Sequence, residues 1–175
     1  IMKSKLINIT WLEYKGIIKE KPYESDIYNI AHVNPIKVDQ YKEIYKRVGS
    51  QYSWLGRTIM KDDDLKKIIA NKKVEIHFIK KGSQSIGFFE IDYSSNYLKD
   101  KELRIVHFGL IREYIGKGLG VKLMNAAVTR AYYLNIDKII LQTNSLDHKR
   151  ALPFYKKYGF EIFSEETKNI LHKVS

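Results

Sequence analysis

The sequence predicts a single domain of the α/β (α+β) class, with helices packed against a mixed sheet. Its 175 residues match the usual size of one domain, and no repeat or Pro/Gly-rich linker divides them. The hydrophobic period alternates between strand-like and helical along the chain. The predicted order is strand, two helices, three strands, helix, strand, helix, strand, which is typical of an α/β domain with a mixed sheet.

The first third of the chain is predicted to form one strand and two helices. The strand is KLINITWLEY, residues 5–14. The first helix is NPIKVDQYKEIYKRVG, in which Asn34 suits the N-cap, Pro35 suits the first helical position and Gly49 lies past the end. The second helix is KDDDLKKIIANK, residues 61–72, whose acidic first turn complements the helix dipole.

The middle of the chain changes to a strand-like period. Residues 74–93, VEIHFIKKGSQSIGFFEIDY, predict a β-hairpin that turns at Gly82. A polar loop, residues 94–101, precedes another predicted strand at residues 102–111.

The C-terminal part predicts a helix, a strand, a helix and a closing β-segment. Apolar residues recur at spacings of three and four from Leu119 to Tyr132, which indicates a helix. KIILQTN, residues 138–144, is a short strand of buried character, and residues 147–159 form the last helix, closed by Gly159. The final segment, residues 160–174, is expected to be a strand or a hairpin.

Composition excludes several functional classes. The chain has no cysteine, which rules out disulfides and thiolate metal sites and fits a reducing cytoplasm. No apolar run is long enough to span a bilayer, and the N-terminus is too charged for a secretory signal, so no membrane is expected. The five histidines show no metal-ligand spacing, so no metal is expected. The net charge of +11 comes from scattered lysines rather than a basic block, which disfavours a nucleic-acid partner and leaves attraction for an anionic ligand open.

The stretch REYIGKGLG places three glycines, Gly116, Gly118 and Gly120, between a predicted strand and a predicted helix. It matches neither the Walker phosphate loop nor the dinucleotide fingerprint. A helix N-terminus offers unpaired N–H groups and partial positive charge, glycines let an anion approach the backbone, and Lys117 adds a cation. The stretch therefore predicts a pyrophosphate site; the alternative is a turn that only permits tight strand–helix packing.

Two motifs resemble the acetyl-CoA-binding core of the GNAT superfamily of N-acetyltransferases. The family pattern Gln/Arg-x-x-Gly-x-Gly/Ala falls on residues 115–120, IGKGLG. The pattern Ala-x-x-x-Tyr-x-x-x-Gly-Phe falls on Ala151, Tyr155, Gly159 and Phe160. Residues 74–164 follow the family's order of elements, with the cofactor-binding core at about 102–160. The upstream segment YSWLGR, residues 52–57, is similar to the corresponding segment of a bacterial subgroup whose acceptor is not known.

The resemblance implies a mixed, mostly antiparallel sheet that is splayed at the cofactor site and flanked by about four helices. It implies acetyl-CoA as the acyl donor, with the pantetheine arm on Leu110 and Ile111 and the pyrophosphate on the segment Ile115, Gly116, Lys117, Gly118, Leu119 and Gly120. Ile115 replaces the usual Gln or Arg, so we expect the loss of one polar contact, on the order of 1 kcal/mol. Asn144 is expected to bind the pantetheine amide. His148, where many members have Asn, is expected to contact the cofactor or to be an ordinary helix-start residue.

Acyl transfer from a thioester to an amine needs a group that polarises the carbonyl and a group that gives a proton to the departing thiolate. A free backbone N–H at a splayed strand end suits the first task, and we expect it to be that of Ile111. The phenol of Tyr155, which matches the family position, can protonate or hydrogen-bond the sulfur anion; its alternative is a core aromatic. Direct attack by the amine is favoured because the chain has no cysteine and no serine in an elbow motif.

The general base is the least determined residue. Where some members carry Glu, this chain has Arg104, which cannot accept a proton at neutral pH. We favour Glu90, on the adjacent strand and opposite Arg104 if the connecting loop is symmetrical. Glu102, His107, which alternates onto the other face, and ordered water stay open.

Trp54 and Arg57 lie in the region where this family builds its acceptor pocket. A stacking Trp and an Arg could orient a substrate carboxylate, although Trp54 could equally be a core anchor. The resulting hypothesis is an acetyl-CoA-dependent N-acetyltransferase acting on a small-molecule or peptide primary amine, compatible with a homodimer. The alternatives are a non-catalytic acyl-CoA-binding module and a basic nucleic-acid-binding protein.

Overall fold

The computed structural model describes residues 1–22, 25, 27–94, 99 and 101–173, and most of the predicted polar loop 94–101 lies outside them. Its strands are β1 (Met2–Tyr14), β2 (Tyr28–His32), β3 (Val74–Lys81), β4 (Gln84–Asp92), β5 (Glu102–Leu110), β6 (Lys138–Asn144) and β7 (Phe160–Lys173). Its α-helices are α1 (Val38–Gly49), α2 (Gly56–Ile59), α3 (Asp62–Ile69), α4 (Leu119–Tyr133) and α5 (Ala151–Tyr158).

These seven strands form one mixed, mostly antiparallel sheet in the order β2-β3-β4-β5-β6-β1-β7. The pair β5 and β6 is parallel, and its register runs only from Glu102 opposite Lys138 to Ile105 opposite Leu141. Because β5 continues to Leu110 and β6 to Asn144, the two strands separate beyond that point and leave a gap in the sheet. The predicted fold class, including the splayed sheet, is confirmed.

Helices cover both faces of the central strands. Tyr41 of α1 packs edge-on against Phe88 of β4, with ring centroids 6.1 Å apart. On the other face, Arg130 of α4 reaches Glu75 of β3. Strand β4 is consequently buried on both faces, and Phe88, Phe89 and Ile91 are each 0% exposed. None of the described helices is long and apolar enough to cross a membrane.

Three elements differ from the sequence-based prediction. Strand β2 was not predicted. The chain continues along β3 for one more residue after β2 ends, because the N–H of Val33 donates to the carbonyl of Ile76 at 2.9 Å. Helix α1 therefore begins at Val38, with Lys37 as N-cap, rather than at Pro35 behind Asn34. The short helix α2 was also missed, because four residues are too few to show a helical period.

The C-terminal segment is a single 14-residue strand rather than a hairpin. It pairs with β1 from Phe160 opposite Tyr14 to Lys173 opposite Met2. Strand β6 pairs with β1 only from Glu13 to Ile9, so the far end of the β1–β7 ribbon extends past β6. That extension places the end of β7 beside the gap between β5 and β6.

Strand pairing also assembles a cluster that residue spacing did not predict. His32 of β2 lies opposite His77 of β3, and the ligand atoms of His32, Glu75 and His77 lie within 4.8 Å of one another. The carboxylate of Glu75 already accepts hydrogen bonds from Arg130, His77 and Tyr93. These hydrogen bonds and charges lower the pKa of Glu75 although burial opposes them, and the cluster is an ion-pair network behind α4.

Candidate active site

A cleft of about 290 Å³ opens where β5 ends, between the glycine-rich turn and α5. Its floor is apolar, and Phe108 of β5 stacks on Phe154 of α5 with ring centroids 6.0 Å apart. Gly109 lies in the same strand because a Cβ there would come within 2.6 Å of Val48 on α1. The cleft is thus a narrow apolar channel between the two helical layers.

The glycine-rich turn forms the polar end of this cleft. Gly116 and Gly118 have φ values of +82° and +76°, a left-handed conformation that favours glycine, and Gly118 is the N-cap of α4. Within the described chain, no hydrogen bond is made by the N–H groups of Gly116, Lys117, Gly118 or Gly120. Gly118 lines the cleft, and a Cβ on it would meet no described atom within 4 Å, so the space beside this residue is open to a ligand. The turn presents bare backbone donors at a helix N-terminus, which suits an anion.

A buried hydroxyl without a partner belongs to a residue that lines this region. Among the described side chains, the Oη of Tyr52 is buried and makes no hydrogen bond. Tyr52, Ile115, His148 and Arg150 line both the cleft and an adjoining cavity of about 420 Å³ that adds Arg112 and Lys149. A buried polar atom costs about 1–3 kcal/mol when unpaired. An anionic ligand with hydrogen-bonding groups, such as an acyl-CoA, fits this combination of orphan donor, free amides and cations.

The predicted cofactor residues fall into three groups. Seven of them line the cleft: Leu110, Ile115, Gly116, Gly118, Gly120, His148 and Tyr155. Leu119 is 2% exposed and packs into the core, so only its backbone is near the turn, and the ammonium of Lys117 lies over the ring of Tyr114 at 5.2 Å. Asn144 lines a second cavity instead, where its Oδ1 accepts the N–H of Leu146.

The backbone N–H of Ile111, which was predicted to be free to polarise a carbonyl, already makes a hydrogen bond. Its N–H donates to the carbonyl of Ile86 at 2.8 Å, so it belongs to the β4 side of the strand. Backbone groups alternate sides along a strand, and the N–H of Leu110 therefore points away from β4, toward the gap beside β6. The amide that faces the cleft is that of Leu110, one residue before the predicted one.

A second cavity of about 390 Å³ lies on the other side of the gap. Trp54, Phe108, Asp147 and Tyr155 line both this cavity and the cleft, so the two spaces meet at these four side chains. We call these four residues the junction. Asp147 is held there by hydrogen bonds from Trp54 Nε1 at 3.1 Å, from the Thr143 hydroxyl at 2.7 Å and from the Asn144 N–H at 3.0 Å.

Tyr155 contributes a free phenol to the junction. It is 8% exposed, and its hydroxyl forms no hydrogen bond with any residue that the structure describes. Burial, and secondarily the charge of Asp147, raise its pKa above the ordinary value of a phenol. Tyr155 therefore stays protonated and can donate a hydrogen bond to a group that occupies the junction.

Glu90 is the centre of a buried polar cluster. It is 1% exposed and accepts hydrogen bonds from Tyr41, from Arg57 at 2.9 Å and from His107 Nδ1 at 3.1 Å. Burial alone would raise the pKa of Glu90, but His107, Arg57 and the hydroxyl of Tyr41 outweigh it and lower the pKa to about 2. Glu90 is therefore ionised, and it lines neither cavity.

A β-bulge explains why Glu90 meets His107. The register between β4 and β5 shifts between Glu90 and Ile91, so Glu90 lies opposite His107 while Arg104 lies opposite Asp92. The predicted placement of Glu90 opposite Arg104 is wrong, because Arg104 pairs with Asp92, two residues further along β4. The extra residue in β5 then places His107, instead of Val106, opposite Glu90. Since an ionised carboxylate only accepts, Nδ1 of His107 carries the proton, and Nε2 has no partner among the described residues.

The remaining base candidates lie away from the second cavity. Glu102 is at the opposite end of β5, where Lys138 approaches it at 3.4 Å. Arg104 stacks on Trp11, with its guanidinium 4.9 Å from the ring centroid, and its Nε is buried without a partner in the described chain. His107 is the titratable group of this set that lines the cavity.

Trp54 and Arg57 have different outcomes. Trp54 packs against the core, as one of its two predicted roles has it, and it also lies at the junction, where its role toward an acceptor stays a prediction. Arg57 is occupied by its ion pair with Glu90 and lines neither cavity, which leaves it no free guanidinium for a substrate carboxylate. Sequence reasoning missed Asp147 and Arg150, although both lie in the quoted segment DHKRALPFYKKYG.

Comparison with known proteins agrees with this geometry. Residues 41–170 match the model of the acetyltransferase (GNAT) domain. An aminoglycoside acetyltransferase from an uncultured soil metagenomic sample, solved with trehalose, superposes with a TM-score of 0.64 at 14% identity, over 76% of this chain and 88% of that one. A putative GNAT acetyltransferase from Novosphingobium aromaticivorans gives 0.65 at 9% identity, over 99% and 68%.

A GCN5-related N-acetyltransferase from Sphaerobacter thermophilus gives a TM-score of 0.64 at 12% identity, over 95% of this chain and 51% of that one. Identities this low show the shared fold alone. A comparison with curated proteins finds no match. The match of the domain model to residues 41–170, together with the glycine turn and the splayed sheet, shows that the chain belongs to the GNAT acetyltransferase family.

Proposed function

We propose that the protein is an N-acetyltransferase that moves an acetyl group from acetyl-CoA to a primary amine by direct attack. The observation that carries this proposal is the meeting of two cavities at Tyr155, one with free backbone donors and one beside His107. A donor and an acceptor bound on the two sides would bring their reacting atoms together at the junction, which is the main requirement for a direct transfer.

The chain's residues fit acetyl-CoA as the acyl donor. The amides of Gly116, Gly118 and Gly120 would hold the pyrophosphate, with Arg150 as a nearby cation. Tyr52 would regain a hydrogen-bond partner. When bound, acetyl-CoA supplies an acetyl thioester whose C–S bond breaks as the N–C bond forms, the sulfur keeping the electron pair.

Leu110 and Tyr155 would stabilise charge during the transfer. The N–H of Leu110 faces the gap and can donate to the carbonyl oxygen as it becomes negative. Because the pKa of Tyr155 is raised above that of a thiol, its phenol stabilises the departing thiolate by a hydrogen bond rather than by complete proton transfer. The thiolate then takes up a proton released by the amine.

His107 is the residue that we assign as general base, with Glu90 as the residue that positions it. The acceptor arrives as an ammonium and must lose one proton before attack and a second after the N–C bond forms. His107 lines the acceptor cavity and its Nε2 has no partner among the described residues, whereas Glu90 is buried and accepts three hydrogen bonds. Glu90 therefore acts through the imidazole, whose tautomer and orientation it holds.

The proposed acceptor is a small-molecule or peptide primary amine. Three of the similar structures are of aminoglycoside acetyltransferases, two of them of the same protein, and identities of 11–14% support the shared fold and not a shared acceptor. The lack of cysteine is compatible with work in a reducing cytoplasm.

Release of free CoA tests the function. We expect the protein to release CoA from acetyl-CoA in an amine-dependent manner, measured with a thiol reagent over a panel of primary amines, with the acetylated amine identified by mass spectrometry. Acetyl-CoA binding without release for any amine would instead favour the non-catalytic acyl-CoA-binding module. A steeply salt-dependent mobility shift with nucleic acid would favour the basic nucleic-acid binder.

Replacing His107 tests the assignment of the base. We expect His107→Gln to lower kcat/KM by about 100-fold, because general-base catalysis typically contributes factors of this size. The measurement is kcat/KM for a tested amine at saturating acetyl-CoA, with calorimetric binding of acetyl-CoA as the check that the cofactor site is intact.

Two further variants serve as references. Glu90→Gln removes the carboxylate that accepts the Nδ1 hydrogen bond of His107 and holds the imidazole in place, so kcat/KM should fall by less than in His107→Gln. His77→Gln replaces a histidine that also bonds a buried glutamate, but on the α4 face away from both cavities. A kcat/KM that is equal in wild type and His107→Gln would assign the proton to ordered water.

A further inference from the structure

The acceptor cavity joins an apolar wall to a polar one, and the polar wall is formed by Ser53, His107, Gln142, Asn144 and Asp147. α2 and the turn before it, the two splayed strands and the end of β7 each contribute aliphatic side chains: Leu55, Ile59, Ile105, Leu141, Ile170 and Leu171. Trp54, Tyr45 and Phe108 add aromatic surface. Two of these residues leave apolar surface open to solvent, since Ile59 is 65% exposed and Leu171 is 56% exposed.

The acceptor cavity carries a negative charge in a chain that is positively charged overall. Among the described residues that line it, Asp147 alone carries a formal charge, and no lysine, arginine or glutamate does so in a chain of net charge +11. Asp147 forms no ion pair with another described residue and is held by three hydrogen bonds from uncharged groups. Its negative charge is therefore available to a cation at the junction.

We propose that the acceptor is a small primary amine with one positive charge and an apolar, preferably aromatic, body. This inference rests on the proposed acetyl transfer and specifies its substrate class. The ammonium lies beside Asp147, between Tyr155 and His107, and the apolar body lies against Leu55 and Ile59. The cavity volume of about 390 Å³ is in the range of small-molecule sites.

The same features exclude a polycationic acceptor. Each additional ammonium in the cavity would lose its hydration without meeting a carboxylate, and an unpaired buried charge is costly. An aromatic ring in the same place removes apolar surface from water on both sides. We therefore expect selectivity for a hydrophobic monoamine over a polyamine.

The experiment compares tryptamine and 2-phenylethylamine with spermidine and sisomicin. Binding of each amine to the CoA-loaded protein is measured by isothermal titration calorimetry, and turnover by CoA release. We expect tryptamine to bind, and to be acetylated with a kcat/KM about 30-fold or more above that of spermidine, a ratio set by burial of its ring.

The variant Ile59→Glu places a carboxylate at the mouth of the cavity. We expect it to weaken tryptamine binding about tenfold and to reduce the preference over spermidine. Ile17→Glu is the matched control, because Ile17 is 74% exposed and lines no cavity of the acceptor site.

The outcomes separate the inference from the function beneath it. Tryptamine that binds, depends on Ile59 and releases no CoA would support the ligand class and overturn the acetyl transfer. Preference for spermidine or sisomicin, tryptamine binding unaffected by Ile59→Glu, or no binding of either aromatic amine would each overturn the inference.

Discussion

The variant Gly118→Val is expected to lose acetyl-CoA binding, with an affinity at least about 100-fold below that of the wild type. Gly118 has φ of +76°, a conformation that a β-branched residue adopts only with strain. Its side-chain direction is free of protein atoms within 4 Å, so the valine methyl groups would occupy the space assigned to the pyrophosphate. Titration calorimetry with acetyl-CoA measures the change directly.

The chain supplies a matched control for this variant. Gly82, in the β3–β4 turn, also has positive φ, +58°, and also faces space that is free of protein within 4 Å. Gly82→Val should therefore carry a similar backbone strain, seen as a lower melting temperature, but leave acetyl-CoA affinity unchanged. Equal affinity in Gly118→Val and wild type would mean that the turn does not hold the cofactor.

The variant Tyr155→Phe is expected to lower kcat by about 100-fold while the affinity for acetyl-CoA changes little. The substitution removes one hydroxyl that has no hydrogen-bond partner among the described residues, so no described hydrogen bond is lost. What is lost is the hydrogen bond to the departing thiolate, an interaction that becomes strong only as the charge develops. Steady-state kinetics with a tested amine, together with calorimetric binding of acetyl-CoA, separate these two quantities.

Tyr158→Phe is the reference for this measurement. Tyr158 lies on the same helix, its pKa is also raised by burial, and its hydroxyl donates to Asn125 at 2.6 Å rather than facing a cavity. Its removal should cost about 1 kcal/mol of stability and leave kcat unchanged. If Tyr155→Phe turned over as fast as wild type, the phenol would have no role in leaving-group departure.

Much of the fold could be predicted because its signals are local. The apolar period from Leu119 to Tyr132, the hairpin turn at Gly82 and the closing Gly159 each depend on a few consecutive residues. The two GNAT motifs are local in the same sense, since the glycines of residues 115–120 and Tyr155 belong to short continuous segments. Strand β2 and helix α2 escaped because each is five residues or fewer.

The candidate site could be predicted only where one segment builds it. Residues that act through pairing were misassigned: Ile111 was expected to offer an N–H that in fact bonds Ile86, and Arg57 was expected to be free but pairs with Glu90. One extra residue in β5 changes which side chain faces Glu90, and the hydrophobic pattern of the sequence does not predict this β-bulge.

By itself, the sequence determined the order of elements, the glycine turn that opens α4 and the family, since backbone conformation and helix termini follow from neighbouring residues. Only the tertiary structure decided that His107 meets Glu90, that Leu110 rather than Ile111 faces the gap, and that Asp147 joins the two cavities. The physical reason is that strand register and the separation of β5 from β6 bring together residues distant in the chain, and packing over the whole sheet sets both.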